Sequence, residues 1–251
     1  MENEYLDRIE IVLVETQDAA NIGSVCRAMK TMGITHLCLV ANEEYDENRV
    51  RTLALHASDI WEKRRVVKTL DQALSDSVFS VASTRRKGKF RKLSSYTPSD
   101  LAKRLQTCAN GKVSIVFGRE ADGLRDDEVN LCSSVVTIPT SELFPSLNLA
   151  QAVQIVTYNL FLESKEYKPG LVSVSHERVN EVTRCISRSL ENIGYYKWDE
   201  EKKWTEILIR DTIEKATLSE SEIKRFLKIF EKMEKIKIYK DRDNEKIQEL
   251  S

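Results

Sequence analysis

The chain has 251 residues, of which 41% are hydrophobic and 31% charged, with a formal net charge of −1. That balance describes a folded, soluble globular protein and argues against a histone-like or tail-driven binder. No apolar run is long enough to span a bilayer.

The acidic opening, "MENEYLDRIEIVLVE", leads directly into an apolar run. It does not read as a signal or transit peptide, so a cytoplasmic location is expected. The first strand is "RIEIVLV", 8–14. The loop "ETQDAA" follows, and then a helix in "NIGSVCRAMKTMG", with Asn21 as its expected cap and Gly33 as its stop. Ile22, Val25, Met29 and Met32 form its apolar stripe. Gly23, Arg27 and Lys30 fall at i, i+4 and i+7 on another face. Two readings of that face stay open. It is a solvated surface with a helix-packing glycine, or it is a ligand face on which Gly23 clears space and the two cations hold phosphate.

A second strand is expected at 36–40 and one helix across 48–63. A short strand at 65–67 and a short helix from Thr69 come next. The strand "SVFSVAS", 77–83, then runs into "RRKGKFRK", 85–92, which has six basic residues in eight with Phe90 among them. Taken alone, that cluster is equally a solvated charge run and a grip on nucleic acid. Thr97 caps a helix with Pro98 in its first turn. A strand at 112–118, a short helix in "RDDEVNLC", a strand at 134–139 and a long helix at 147–164 complete the alternation. The last helix is apolar on most sides and reads as buried. Alternating strands and helices imply an α/β protein with a parallel sheet covered on both faces.

After "KPG", 168–170, strands stop. Helices are expected at 177–193, 203–216 and 219–237, with Ser219 and Glu222 as a capping box and a frayed end. The chain therefore divides into a first unit over 1–165 and an all-helical extension over 170–251.

The chemistry of such a fold lies at the carboxyl ends of the strands. Four loops there are unusual: the one entering the Asn21 helix, "ASTRRKGKFRK", "VFGREADGL" and "IPTSELFPSLN". Ala82, Ser83 and Thr84 end a strand with small side chains that leave main-chain groups accessible. Gly118 stands at a strand exit, where a ligand can touch backbone, although an ordinary turn looks similar. Ser146 and Asn148 either cap the last helix or line a site. No Gly-x-Gly-x-x-Gly or Walker sequence follows a strand. The five cysteines show no Cys-x-x-Cys spacing and read as reduced thiols. His36, His56 and His176 are scattered, so no metal site is expected.

Taken together, "NIGSVCRAMKTMG", "IVFGREADGL" and "IPTSELFPSLNLAQAVQIVTYNLF" resemble the three ordered motifs of the SpoU branch of the SPOUT RNA methyltransferases. The similarity covers about residues 8–164. Within that branch the chain looks most like the tRNA methyltransferase J type, which methylates the 2′-hydroxyl of cytidine or uridine 32 in the anticodon loop. Its extension departs from that type in being mixed or acidic rather than strongly basic. The resemblance implies a C-terminal trefoil knot in the core, S-adenosylmethionine as cofactor, tRNA as substrate and an obligate homodimer. It implies Arg27, Asn21 and Ser146 as catalytic residues. It also implies a cofactor pocket from Ala82, Ser83, Thr84, Gly118, Ile138, Ser146, Leu147 and Asn148, with Glu120 tying its loop to the dimer partner. Lys30, Arg85, Arg86 and Lys87 would hold RNA phosphates, and Phe90 would stack on a loop base. Other readings of the same residues are a methyltransferase acting on ribosomal RNA or another tRNA position, a non-catalytic RNA-binding knot protein, and a small-molecule α/β enzyme.

Overall fold

The structure is a computed structural model that describes residues 4–42, 44–85, 95–108, 110–164 and 174–248, with side chains to 235. Arg86, Lys87 and Phe90 lie outside the described residues.

The first elements are α1 (Glu4–Asp7), β1 (Ile9–Val14), α2 (Ala19–Thr31) and β2 (His36–Val40). They are followed by α3 (Glu47–Ala54), a 3-10 turn at Leu55–Ala57, α4 (Ser58–Glu62), β3 (Arg65–Val67), α5 (Leu70–Leu74) and β4 (Ser77–Ser83). Then come β5 (Ser95–Tyr96), α6 (Pro98–Thr107), β6 (Lys112–Phe117), α7 (Asp126–Leu131), β7 (Ser134–Val136) and α8 (Leu149–Glu163). The chain ends in α9 (His176–Asn192), α10 (Asp199–Ala216) and α11 (Glu220–Gln248).

The strands form one seven-stranded sheet in the order β3-β2-β1-β6-β4-β7-β5. Every pairing among the described strands is parallel. β1 is buried along its whole length, as a strand covered on both faces must be. Its alternate residues serve two cores. Ile9, Ile11 and Leu13 face one cluster with α2, α6 and α8, while Val12 and Val14 face another with α5 and α7. Glu10, on the second face, is buried and paired with Arg65 and Lys112, each at 2.9 Å. The sheet reverses its order between β1 and β6, so the crevice at their carboxyl ends is the natural ligand position.

Four expectations are corrected in detail. The single helix across 48–63 breaks into α3, the 3-10 turn and α4, because Leu55 takes a left-handed φ of 51°. The strand expected at 134–139 ends at Val136, and a two-residue strand, β5, pairs beside it. Asp18, not Asn21, caps α2, accepting from the Ala20 amide at 2.8 Å. The last helix of the core is half-covered: Val153, Val156 and Leu160 are buried, but Tyr158 and Leu162 are 48% and 51% exposed.

The last three helices bury a cluster of their own, built on Val179, Val182, Ile186, Ile213 and Ile223. They meet the core at a short polar seam. The Glu177 amide donates to the Ser75 carbonyl, and Arg104 donates to the Lys215 carbonyl at 2.7 Å. The buried His176 ring pairs with Glu214 at 2.8 Å and lies 3.8 Å from Asp71 of α5.

Candidate active site

The loops leaving β4, β6 and β7 enclose one cleft. Its walls include Ser83, Thr84, Arg85, Gly118, Glu120, Ile138, Thr140, Ser146 and Leu147. Apolar Leu124 and Leu149 complete it. The sequence motifs named most of these positions. Ala82 is fully buried in the sheet rather than on the cleft, and its neighbours Ser83 and Thr84 carry the wall. Thr84 is fixed by its amide, which donates to the Val136 carbonyl at 3.0 Å.

The loop after β6 owes its shape to two glycines and an arginine. Arg119 and Gly123 exchange backbone hydrogen bonds of 3.3 and 2.9 Å, folding the loop back on itself. A Cβ at Gly118 would lie 2.2 Å from the Gly123 carbonyl carbon, so only glycine permits this fold. Gly123 has a φ of 69°. The Arg119 side chain is only 8% exposed. It donates to both Glu128 oxygens at 3.0 and 2.9 Å and to Glu15 at 2.8 Å. The hydrogen bonds to Glu128, more than those to Glu15, raise its already high pKa against the opposing cost of burial. Burial pushes the Glu128 carboxyl up, but Arg119 and the Arg125 amide outweigh it and hold the group below its ordinary value. Sequence reasoning missed this brace, since a charged residue in an acidic loop looks solvated.

Glu120 joins this loop to the one after β1. Its oxygens accept from the Gln17 amide at 2.9 Å, the Asp18 amide at 3.2 Å and Asn21 Nδ2 at 2.9 Å. These three partners all belong to the same chain. Asn21 continues the relay: its Oδ1 accepts from Asn148 Nδ2 at 2.9 Å. Asn148 caps α8, accepting from the Ala150 amide at 2.9 Å while Gln151 reaches back to its amide. Asn148 thus braces the start of α8, directly after the cleft residues Ser146 and Leu147. Asn21, Glu120 and Asn148, one from each motif, form a continuous hydrogen-bonded line.

Arg27 stands apart from the cleft in an adjoining groove between α2 and α8, with Ser24, Thr31, Leu147 and Gln151. Leu147 is common to groove and cleft. The Arg27 side chain is exposed, and among the described residues its guanidinium has no hydrogen-bond or ion-pair partner. The other two members of its predicted face go elsewhere. Gly23 is buried against α3, where a Cβ would lie 2.3 Å from the Val50 carbonyl oxygen. It is a helix-packing glycine and clears no space for a ligand. Lys30 Nζ is held at 2.7 Å by both Asp59 and the His56 carbonyl, so the structure does not bring it to the groove.

Among the described residues no group of three or more His, Cys, Asp or Glu side chains is arranged to hold a metal ion. No helix among them is long and apolar enough to cross a membrane.

Comparison with known proteins places the chain in a family. Residues 8–158 match the model of the SpoU rRNA Methylase family. A relative described as tRNA (cytidine-2′-O-)-methyltransferase TrmJ, from Methanocaldococcus jannaschii, is 34% identical over 162 residues, covering 64% of this chain and 70% of that protein. The tRNA (cytidine/uridine/adenosine-2′-O-)-methyltransferase TrmJ of Pseudomonas aeruginosa is 40% identical over 160 residues. That alignment covers 62% of this chain and 61% of the relative, so the match spans less than two thirds of the bacterial protein. The crystal structure of TrmJ from Z. mobilis ZM4 superposes with a TM-score of 0.73 at 29% identity, covering 90% of this chain and 98% of that one. AviRb of Streptomyces viridochromogenes, in complex with AdoMet, shares the fold at 19% identity and a TM-score of 0.50, over 64% of this chain and 62% of AviRb. The chain belongs to the SpoU rRNA methylase family.

Proposed function

We propose that this protein is an S-adenosylmethionine-dependent tRNA 2′-O-ribose methyltransferase acting on cytidine or uridine 32 of the anticodon loop. The observation that carries the reading is the line from Glu120 through Asn21 to Asn148, which ties the loops after β1, β6 and β7 together beside one cleft, with the exposed Arg27 in the next groove. The relatives' names supply the substrate class.

The cleft fits the cofactor. Leu124, Ile138, Leu147 and Leu149 offer an apolar wall suited to a purine face, and the hydroxyls of Ser83, Thr84, Thr140 and Ser146 suit its polar ends. Bound there, S-adenosylmethionine supplies an electrophilic methyl on a sulfonium. The rest falls to the chain. A ribose 2′-hydroxyl is a weak nucleophile that sheds its proton as it approaches, so orientation is the main requirement, worth about 7–11 kcal/mol in well-aligned cases. Arg27 grips the adjacent phosphate. As an arginine it stays protonated, so its part is electrostatic and positional rather than that of a free base. Ser146 sets the ribose. Asn21, with both ends of its carboxamide engaged, positions the loops and not the substrate. Arg85, Arg86 and Lys87 follow flanking phosphates.

In this reading two copies pair through α8, whose Tyr158, Phe161 and Leu162 are otherwise left in water. The catalytic unit occupies residues 1–165 and the helical extension 170–251. The chain passes from β6 beyond β4 to β7 and returns through α8 against α2, a path consistent with the trefoil knot.

The test is transfer of labelled methyl from S-adenosylmethionine to purified tRNA and, separately, to ribosomal RNA, followed by mapping of the 2′-O-methylated nucleotide. Label at residue 32 of tRNA is expected. Label only in ribosomal RNA moves the substrate, and no label in either ends the reading.

A further inference from the structure

The loop between β7 and α8 carries a feature that the cleft does not use. Thr140 Oγ1 donates to the Pro145 carbonyl at 3.4 Å, and the Leu143 amide donates to Ser141 Oγ at 3.3 Å, closing residues 140–145 into a compact turn. Pro139 and Pro145 bracket it with restricted backbones. The neck of the turn, Thr140 and Pro145, lines the cleft. The tip does not. Leu143 and Phe144 are 96% and 78% exposed, the largest exposures among the described large hydrophobics. Burying a leucine or phenylalanine gains about 1.5–3 kcal/mol, so a pair held out in water at the rim of a site has its partner outside the fold.

We propose that Phe144 is the base-contacting residue of the site, stacking on a nucleobase at or next to the ribose that is methylated. This rests on the function proposed above. Three observations favour a base. The tip is carried on two residues that line the cleft, Thr140 and Pro145, and is itself exposed, so it stands beside whatever enters the cleft. Arg85 on the same cleft and Arg27 in the adjoining groove are exposed cations suited to the phosphates of the same strand. Glu142, the one charge on the tip, disfavours a phosphate there and leaves the uncharged face of a base as the contact. Single-stranded loops present such faces, and aromatic side chains take them without needing a particular sequence.

The experiment compares the full-length protein with Phe144→Ala and Phe144→Trp. Neither change disturbs packing, because the side chain is exposed. With Phe144→Ala the KM for tRNA rises about tenfold while kcat and the S-adenosylmethionine dissociation constant stay fixed, and Phe144→Trp restores it. A second readout needs no catalysis: 2-aminopurine at or beside residue 32 is quenched on binding wild type and Phe144→Trp, and less by Phe144→Ala. An unchanged KM and unchanged quenching overturn the proposal. So does a loss of cofactor affinity, which assigns the tip to the cofactor, or a shift to smaller particles in sedimentation, which assigns it to a subunit contact. If wild type methylates no RNA yet shows Phe144-dependent quenching, the enzymatic reading fails and the base contact stands.

Discussion

Asn21 and Asn148 meet carboxamide to carboxamide, Nδ2 of Asn148 donating to Oδ1 of Asn21 at 2.9 Å across a separation of 127 positions. Asn21 is occupied at its other end by Glu120. A side chain whose donor and acceptor are both engaged within the protein is a joint between loops, and the two bonds should be energetically coupled. A double-mutant cycle between the two outer partners, Glu120→Ala and Asn148→Ala, is expected to give an interaction free energy of about 0.5–3 kcal/mol in thermal or denaturant unfolding. Additive effects would show that the relay contributes no cooperative stability.

Gly23 gives a test of packing against ligand clearance. Gly23→Ala places a methyl 2.3 Å from the Val50 carbonyl oxygen and 2.8 Å from Leu53 Cβ, so α2 and α3 must separate. The expected cost is roughly 1–3 kcal/mol, read as a lower midpoint of denaturation. A variant with full stability but weakened RNA binding would return Gly23 to the ligand face.

The brace of Arg119 with Glu128 and Glu15 makes the cleft acid-sensitive. Glu128 has a folded pKa below its unfolded value, so its contribution is present above the unfolded carboxylate pKa and is lost as the pH falls through the folded one. Stability should therefore drop on acidification below the ordinary glutamate range, and Glu128→Gln should flatten that part of the profile. An equally steep acid limb in the variant would remove the brace from the account.

The thiols divide by burial. Burial pushes Cys26 up to about 12 and Cys38 up to about 11, so both stay as neutral thiols at neutral pH, whereas Cys185 is exposed. Alkylation of the native protein at pH 8 is expected at Cys185 and not at Cys26 or Cys38. Equal labelling at Cys26 would mean that α2 opens on the timescale of the reaction.

Much of the fold was legible because its strands are buried on both faces and so read as mostly apolar, β-branched runs, as in "IEIVLV" and "KVSIVF". What escaped was decided by contacts distant in sequence. Both Asp18 and Asn21 are good caps, and only the fold shows that Asp18 accepts from the Ala20 amide while Asn21 donates to the Glu120 carboxylate. The break at Leu55 carries no glycine or proline to announce it. Helical spacing put Gly23, Arg27 and Lys30 on one face, but α3 and α4 take the first and last, and Arg27 stays exposed in the groove beside α8. The cleft itself was visible in the motifs, since Ser83, Thr84, Gly118, Ile138, Ser146 and Leu147 all line it. The Arg119 brace was not, because its partners come from separate elements, Glu15 from the loop after β1 and Glu128 from α7.

The most direct measurement is methyl transfer to tRNA by wild type and Arg27→Ala, alongside calorimetric binding of S-adenosylmethionine. Arg27 lies outside the cleft, so cofactor affinity should be unchanged while transfer falls by at least about 100-fold, the scale for removing one preorganised electrostatic group. Transfer at the wild-type rate in Arg27→Ala would contradict the account.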